Sequence, residues 1–286
     1  MDRSTRRARP GPLTDFEISG PAHAGAVRVR HHAGRFVPSD DAAIHDISRR
    51  IPDRWLNAYD TGPAPDDAAP TVAVEAIERL ERVTGVVRLQ HIELIPGLRQ
   101  PLARVIAEAA RLFTPGEHVE GISSVMYVGT ATSGAGLHVD LHHNLFLHLR
   151  GTKQFTLAAY HDTRQQQKEA AGQFAGHHPP SAQAVETVTY DLQPGDGLYV
   201  PPYTQHRVES SDATTVSIAC SWATTESQRL RQLQRANGYL ERVHLRSAPP
   251  GRRPTVDRLK LAALPTIDRA AGLAQRIRAS PSHGSA

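Results

Sequence analysis

Residues 137–150 read LHVDLHHNLFLHLR, and two patterns overlap in them. From Asn144 onward the even positions are Asn144, Phe146, His148 and Arg150, and the odd ones are Leu145, Leu147 and Leu149. Successive side chains of a strand point to opposite faces. The leucines are therefore expected to face outward, against covering helices, and the even positions to look into a barrel. An inward polar face is unusual for a strand that merely fills a core, and it argues for a cavity. The same period of two places His138 and Asp140 on one face.

Two imidazole- and carboxylate-bearing residues at this spacing can reach one metal ion. A third ligand must come from a distant strand that closes the barrel. His206 fits, because it follows a turn and a strand in 192–210, LQPGDGLYVPPYTQHRVES. A lone His-x-Asp is a weak signal; the Pro-Gly-Asp turn before the second histidine strengthens it. Two histidines and one carboxylate on one face leave coordination positions open, which suits non-haem Fe(II) binding a cosubstrate and dioxygen together. Lys153 opens the strand after the Gly151-Thr152 turn. Facing inward, its ammonium would pair with the far carboxylate of an oxoacid cosubstrate.

Outward from this centre, strand-like runs separated by Gly, Pro and Asp occur at 122–129, 143–150, 153–159, 186–192, 197–200, 206–209 and 214–222, which predicts an antiparallel barrel or sandwich. Residues 161–185 are polar and long, and read as a lid over the barrel mouth. Before the strands, apolar periodicity predicts a helix over 72–83, stopped by Gly85. A second is predicted over about 101–113, with Leu102, Val105, Ile106, Ala109 and Leu112 on its face. Residues 61–67 read as a loop. After the strands, Leu230, Leu233, Ala236, Leu240 and Val243 form one helical stripe, and 255–278 a weaker helix. A stripe leaving the barrel needs a cover, which predicts a homodimer.

The runs HVDLHHNLFLHLRGTKQF (138–155) and LQPGDGLYVPPYTQHRVES (192–210) resemble the JmjC/cupin-like Fe(II)- and 2-oxoglutarate-dependent oxygenases. The resemblance covers about 122–224. It implies an α+β, mainly β chain: a double-stranded β-helix (cupin or jelly-roll) barrel with flanking α-helices. It implies Fe(II) on His138, Asp140 and His206, Asn144 near the 2-oxoglutarate, and Lys153 on its distal carboxylate. The implied reaction consumes dioxygen, converts 2-oxoglutarate to succinate and carbon dioxide, and hydroxylates an unactivated C–H bond, most simply of an amino-acid side chain in a peptide, protein or carrier-bound substrate. One departure stands out. Where many members carry Thr or Ser, this chain has Ala135; Tyr127 is the first substitute hydroxyl, with Thr132 another.

Composition sets the outer bounds. The 286 residues are 39% hydrophobic and 22% charged, as in a soluble globular chain. A single cysteine, Cys220, excludes disulfide frameworks and cysteine-held clusters and favours a reducing, cytoplasmic setting. No apolar run is long enough to span a membrane, and none follows the arginine pair near the start, so no leader is expected. The net charge of +4 and the pI of about 9.4 are assigned to arginine-rich termini rather than a nucleic-acid partner. The expected organisation is a disordered basic arm (1–14), a helical and strand region packing on the barrel (15–121), the catalytic barrel (122–224), a C-terminal helical region (225–280) and a disordered tail (281–286). His142 and His143 are either mouth residues or exposed loop histidines. Arg150, Arg207 and the 161–185 segment either recognise an acidic substrate or a carrier protein, or carry ordinary surface charge. Three other functions stay open: a small-molecule tailoring oxygenase, another metal-dependent cupin enzyme, and a non-catalytic cupin RNA-binding module.

Overall fold

The computed structural model describes residues 16–60, 73–175 and 186–279. The arm at 1–14, the loop at 61–67 and the tail at 281–286 lie outside them. The first elements are β1 (Phe16–His23), β2 (Ala26–His31), α1 (Asp41–Arg50), β3 (Leu56–Asp60), α2 (Ala73–Arg79), β4 (Gly85–Gln90) and α3 (Arg99–Phe113). Then come β5 (Val119–Gly129), β6 (Gly134–Val139), β7 (His143–Arg150), β8 (Lys153–Ala159), α4 (Thr163–Ala175), β9 (Glu186–Leu192), β10 (Asp196–Val200), β11 (Gln205–Ser210), β12 (Thr215–Thr224), α5 (Thr225–Arg242) and α6 (Pro254–Ala279). All paired strands are antiparallel. They form an eight-stranded sheet, β1-β2-β10-β7-β12-β5-β4-β3, and a four-stranded sheet, β6-β11-β8-β9.

The middle of the large sheet, β10, β7 and β12, is buried on both faces, and the alternation in β7 shows why. Leu145, Leu147 and Leu149 join Leu89, Met126, Ile218 and Trp222 in one core under α1, α2 and α3. Phe146 turns the other way and meets Leu198, Phe155, Leu157 and Leu192 between the sheets. The turn before β10 is built as its residues require. Gln193 to Asp196 closes with Asp196 N–H donating to the Gln193 carbonyl, and Gly195 sits at φ +95°, where a side chain would be strained. The buried Asp196 carboxylate accepts from Gln193 N–H and pairs with Arg28 and Arg30 of β2 at 3.2 Å each. Thus the Pro-Gly-Asp turn also ties the N-terminal region into the barrel's sheet.

Four expectations are corrected. The helix expected over 72–83 spans Ala73–Arg79, and Gly85 begins β4 instead of stopping the helix, its N–H donating to Thr130 Oγ1. Leu112 is exposed, whereas the rest of the expected α3 face is buried. The segment expected as a lid, 161–185, holds helix α4 over 163–175; its residues 176–185 lie outside the described ones. Asp162 starts it by accepting from Gln165 N–H. Finally, the α5 stripe is covered within the chain, because α5 packs on α4 and α6. Leu233 and Ala236 are buried there, and only Val243 of the stripe is exposed, so the stripe no longer argues for a homodimer. Among the described residues no helix is long and apolar enough to cross a membrane.

Candidate metal centre

β6 and β11 are neighbours, and their register sets His138 opposite His206. The rings approach with centroids 4.2 Å apart, and His206 Nε2 lies 3.7 Å from Asp140 Oδ2. One ligand atom from each of His138, Asp140 and His206 lies within 4.8 Å of the others, the one such group of His, Cys, Asp or Glu among the described residues. Gly134 allows this pairing, since a Cβ there would stand 2.0 Å from the Val208 carbonyl oxygen.

Hydrogen bonds orient all three donors. His138 Nδ1 lies 2.7 Å from the Gly136 carbonyl, and His206 Nδ1 lies 2.9 Å from that of Thr204. A carbonyl can only accept, so each Nδ1 carries the proton and each Nε2 lone pair is free to face the ion. Phe155 stacks on His206 at 5.2 Å and fixes its plane. Asn144 Nδ2 donates to Asp140 Oδ2 at 2.9 Å. Burial alone would raise the Asp140 carboxyl, but His206, His138, Asn144 and Arg88 together hold it below its usual range. His206 is lowered, first by burial and then by His138, against the pull of Asp140 and the Thr204 carbonyl. A carboxylate beside two imidazoles whose Nε2 atoms face it is the donor set a divalent ion needs, so these residues fit the implied metal.

Residues 90–228 match the family model of the cupin-like domain. This part of the chain is a cupin-like domain. No curated protein matches the chain by sequence. Among solved structures, the ribosomal oxygenase YcfD of Escherichia coli is similar at 12% identity and a TM-score of 0.46, over 94% of this chain and 70% of that one. A YcfD complex with cobalt and 2-oxoglutarate is similar at 14% identity and a TM-score of 0.36, over 70% and 48%. A mutant oxalate decarboxylase OxdC of Bacillus subtilis follows at 17% and 0.27, over 48% and 25%.

The cupin-like domain encloses a cavity of about 350 Å³, and the three donors line it together with Asn144, Lys153 and Tyr127. Lys153 is almost wholly buried, and its ammonium stands 5.9 Å from the centre of the Phe146 ring. Burial alone brings it down to about 7. In β8 it pairs with Ser210, whereas His206 pairs with Leu157. The two levels thus differ by four residues, about 13 Å along the strand. Ala135 lines the cavity without a hydroxyl. Of its two suggested substitutes, Tyr127 lines the cavity, while Thr132 is exposed and bonds the Ala131 carbonyl.

Other expected residues lie elsewhere. His143 is neither a mouth nor an exposed loop residue: it is buried, 2.9 Å from the Tyr199 hydroxyl, and stacks on Trp222. His142 is half-buried and lowered by burial and by Arg231. His148 does not line the cavity; it is buried between the Ser217 hydroxyl and the Gly151 carbonyl. Arg150 pairs with Asp41, and Arg207 lies 3.7 Å from Glu209. Arg88 escaped the sequence reading. It lines the cavity from β4, opposite Tyr127 in register, with its guanidinium 5.4 Å from the centre of that ring. Its signal was an arginine between valine and leucine in a run that Gly85, read as a helix stop, had hidden.

Proposed function

We propose that this chain is an Fe(II)- and 2-oxoglutarate-dependent oxygenase that hydroxylates an amino-acid side chain in a peptide or protein. One observation carries the reading: a two-histidine, one-carboxylate group and a buried ammonium line the same cavity, separated along the strand direction. A metal-dependent cupin enzyme that needs no dicarboxylate has no use for a buried cation there, since burying an ammonium is costly. A 2-oxoglutarate dianion uses both ends, with its oxoacid group at the metal and its distal carboxylate on Lys153. Bound Fe(II) supplies the activation of dioxygen.

The chain's own residues bind and orient. His138, Asp140 and His206 hold the ion and leave its other positions open. Asn144 steadies Asp140 and lies beside the cosubstrate. Tyr127 offers a hydroxyl in the cavity, where Ala135 offers none. Phe146 and Phe155 wall the space between the two ends and keep water from it. The test is anaerobic loading with Fe(II), then 2-oxoglutarate and air. Wild type should form succinate; His138→Ala, Asp140→Ala and His206→Ala should each abolish it. Wild-type protein that neither binds 2-oxoglutarate nor releases succinate rejects the reading. Intact-mass screening of peptides for one added oxygen atom then identifies the substrate; gain by a small metabolite alone favours the tailoring alternative.

A further inference from the structure

The cavity has one wall from each sheet. On the first wall, β6 ends the four-stranded sheet, and among the described residues β11 is its one paired neighbour. An edge strand presents unpaired N–H and C=O groups to any extended chain. Ala135 and Gly136 are exposed on it, and a Cβ on Gly136 would meet nothing within 4 Å. Such small side chains let another backbone approach closely. His138 stands two residues further on, so a chain paired along this edge passes the metal centre.

The second wall carries Arg88, half-buried, above the Tyr127 ring. A guanidinium has five N–H donors in a planar fork, enough to hold a neighbour and a carboxylate together. Arg88 and Lys153 reach the cavity from different sheets, Arg88 from β4 opposite Tyr127 and Lys153 from β8 opposite Ser210. Among the lining side chains these are the two cations, and Asp140 is the one carboxylate. With a divalent ion and a dianionic cosubstrate added, the lining keeps an excess of positive charge. A basic peptide is repelled there and an acidic one attracted.

We propose that the substrate is an extended acidic peptide segment, paired along the open edge of β6 beside His138 with a carboxylate held by Arg88. This rests on the oxygenase reading. The test uses full-length protein loaded with Zn(II) and 2-oxoglutarate, and labelled peptide pools with acidic, neutral or basic flanks, read by fluorescence anisotropy. The acidic pool should bind about tenfold or more tighter than the basic pool, and the gap should narrow as salt is added. Arg88→Glu should reverse the preference and Arg88→Lys keep it; if Arg88→Glu does not fold, Arg88→Met should erase it. Methylating alternate peptide amides should weaken binding in one register and spare the other. Equal binding of the pools, a basic preference, an acidic preference that survives loss of Arg88, or indifference to amide methylation overturns the proposal. Wild-type protein that forms no succinate sinks the oxygenase reading; succinate formation without acidic preference sinks this one alone.

Discussion

Lys153 is the side chain on which the cosubstrate assignment turns. No carboxylate lies against its ammonium among the described residues, and burial brings it to about 7. A carboxylate arriving there raises it again, so binding of 2-oxoglutarate should take up a proton above pH 7. Affinity should then fall as pH rises from about 7 toward 9. The nearby His148, lowered by burial to about 4, stays neutral throughout that window. Lys153→Met removes a charge-assisted contact of roughly 1.5–3 kcal/mol; it should weaken binding at least tenfold and flatten the pH profile. Calorimetry in two buffers of different ionisation heat reads both effects, and an unchanged affinity would place the distal carboxylate elsewhere. The metal group was legible because period-two spacing and one turn suffice to place His138, Asp140 and His206. His143 was misread although the same period assigns it to the leucine face; the cover there is the ring stack of Tyr199 and Trp222, which no local pattern announces.

At the scale of elements, strands were easier to read than the helix between them. β7, β8 and β9 have the residue ranges expected from strand-like runs separated by Gly, Pro and Asp. The α4 sequence has no apolar stripe, because the residues it buries are Ala170, Ala171 and Gly172. Its burial is supplied by α5. Gly238 of α5 approaches the Ala171 carbonyl so closely that a Cβ would stand 2.7 Å away, and Gln234 and Arg242 bond Gln167 and the Phe174 carbonyl. A helix whose contacts lie far along the chain cannot be found by its own periodicity. Leu233→Ala should therefore cost about 2–5 kcal/mol in urea unfolding with no change in mass by light scattering. A stable variant of altered mass would instead restore the interface between copies expected from the α5 stripe.

Over the whole molecule, buried neutral bases set the response to acid. His31, His143 and His148 are each lowered by burial to about 4. Unfolded, each binds a proton near pH 6.5; folded, each resists until near pH 4. Protons thus favour the unfolded chain as pH falls through that interval, and stability should be full above about pH 6.5 and decline toward pH 4. Melting temperature should drop between pH 7 and pH 5, with the drop smaller in His148→Gln; a flat profile would mean these histidines are charged in the fold. The edge strand carries a consequence of its own. β6 and the residue after it give two of the three donors, and the third comes from β11, the neighbour that pairs with β6. An ion shared by all three would act as a rivet across the seam where the small sheet begins to peel. The strand proposed to receive a visiting chain is the one a bound ion would keep from fraying, so the atom that readied the chemistry would also hold the doorway in shape.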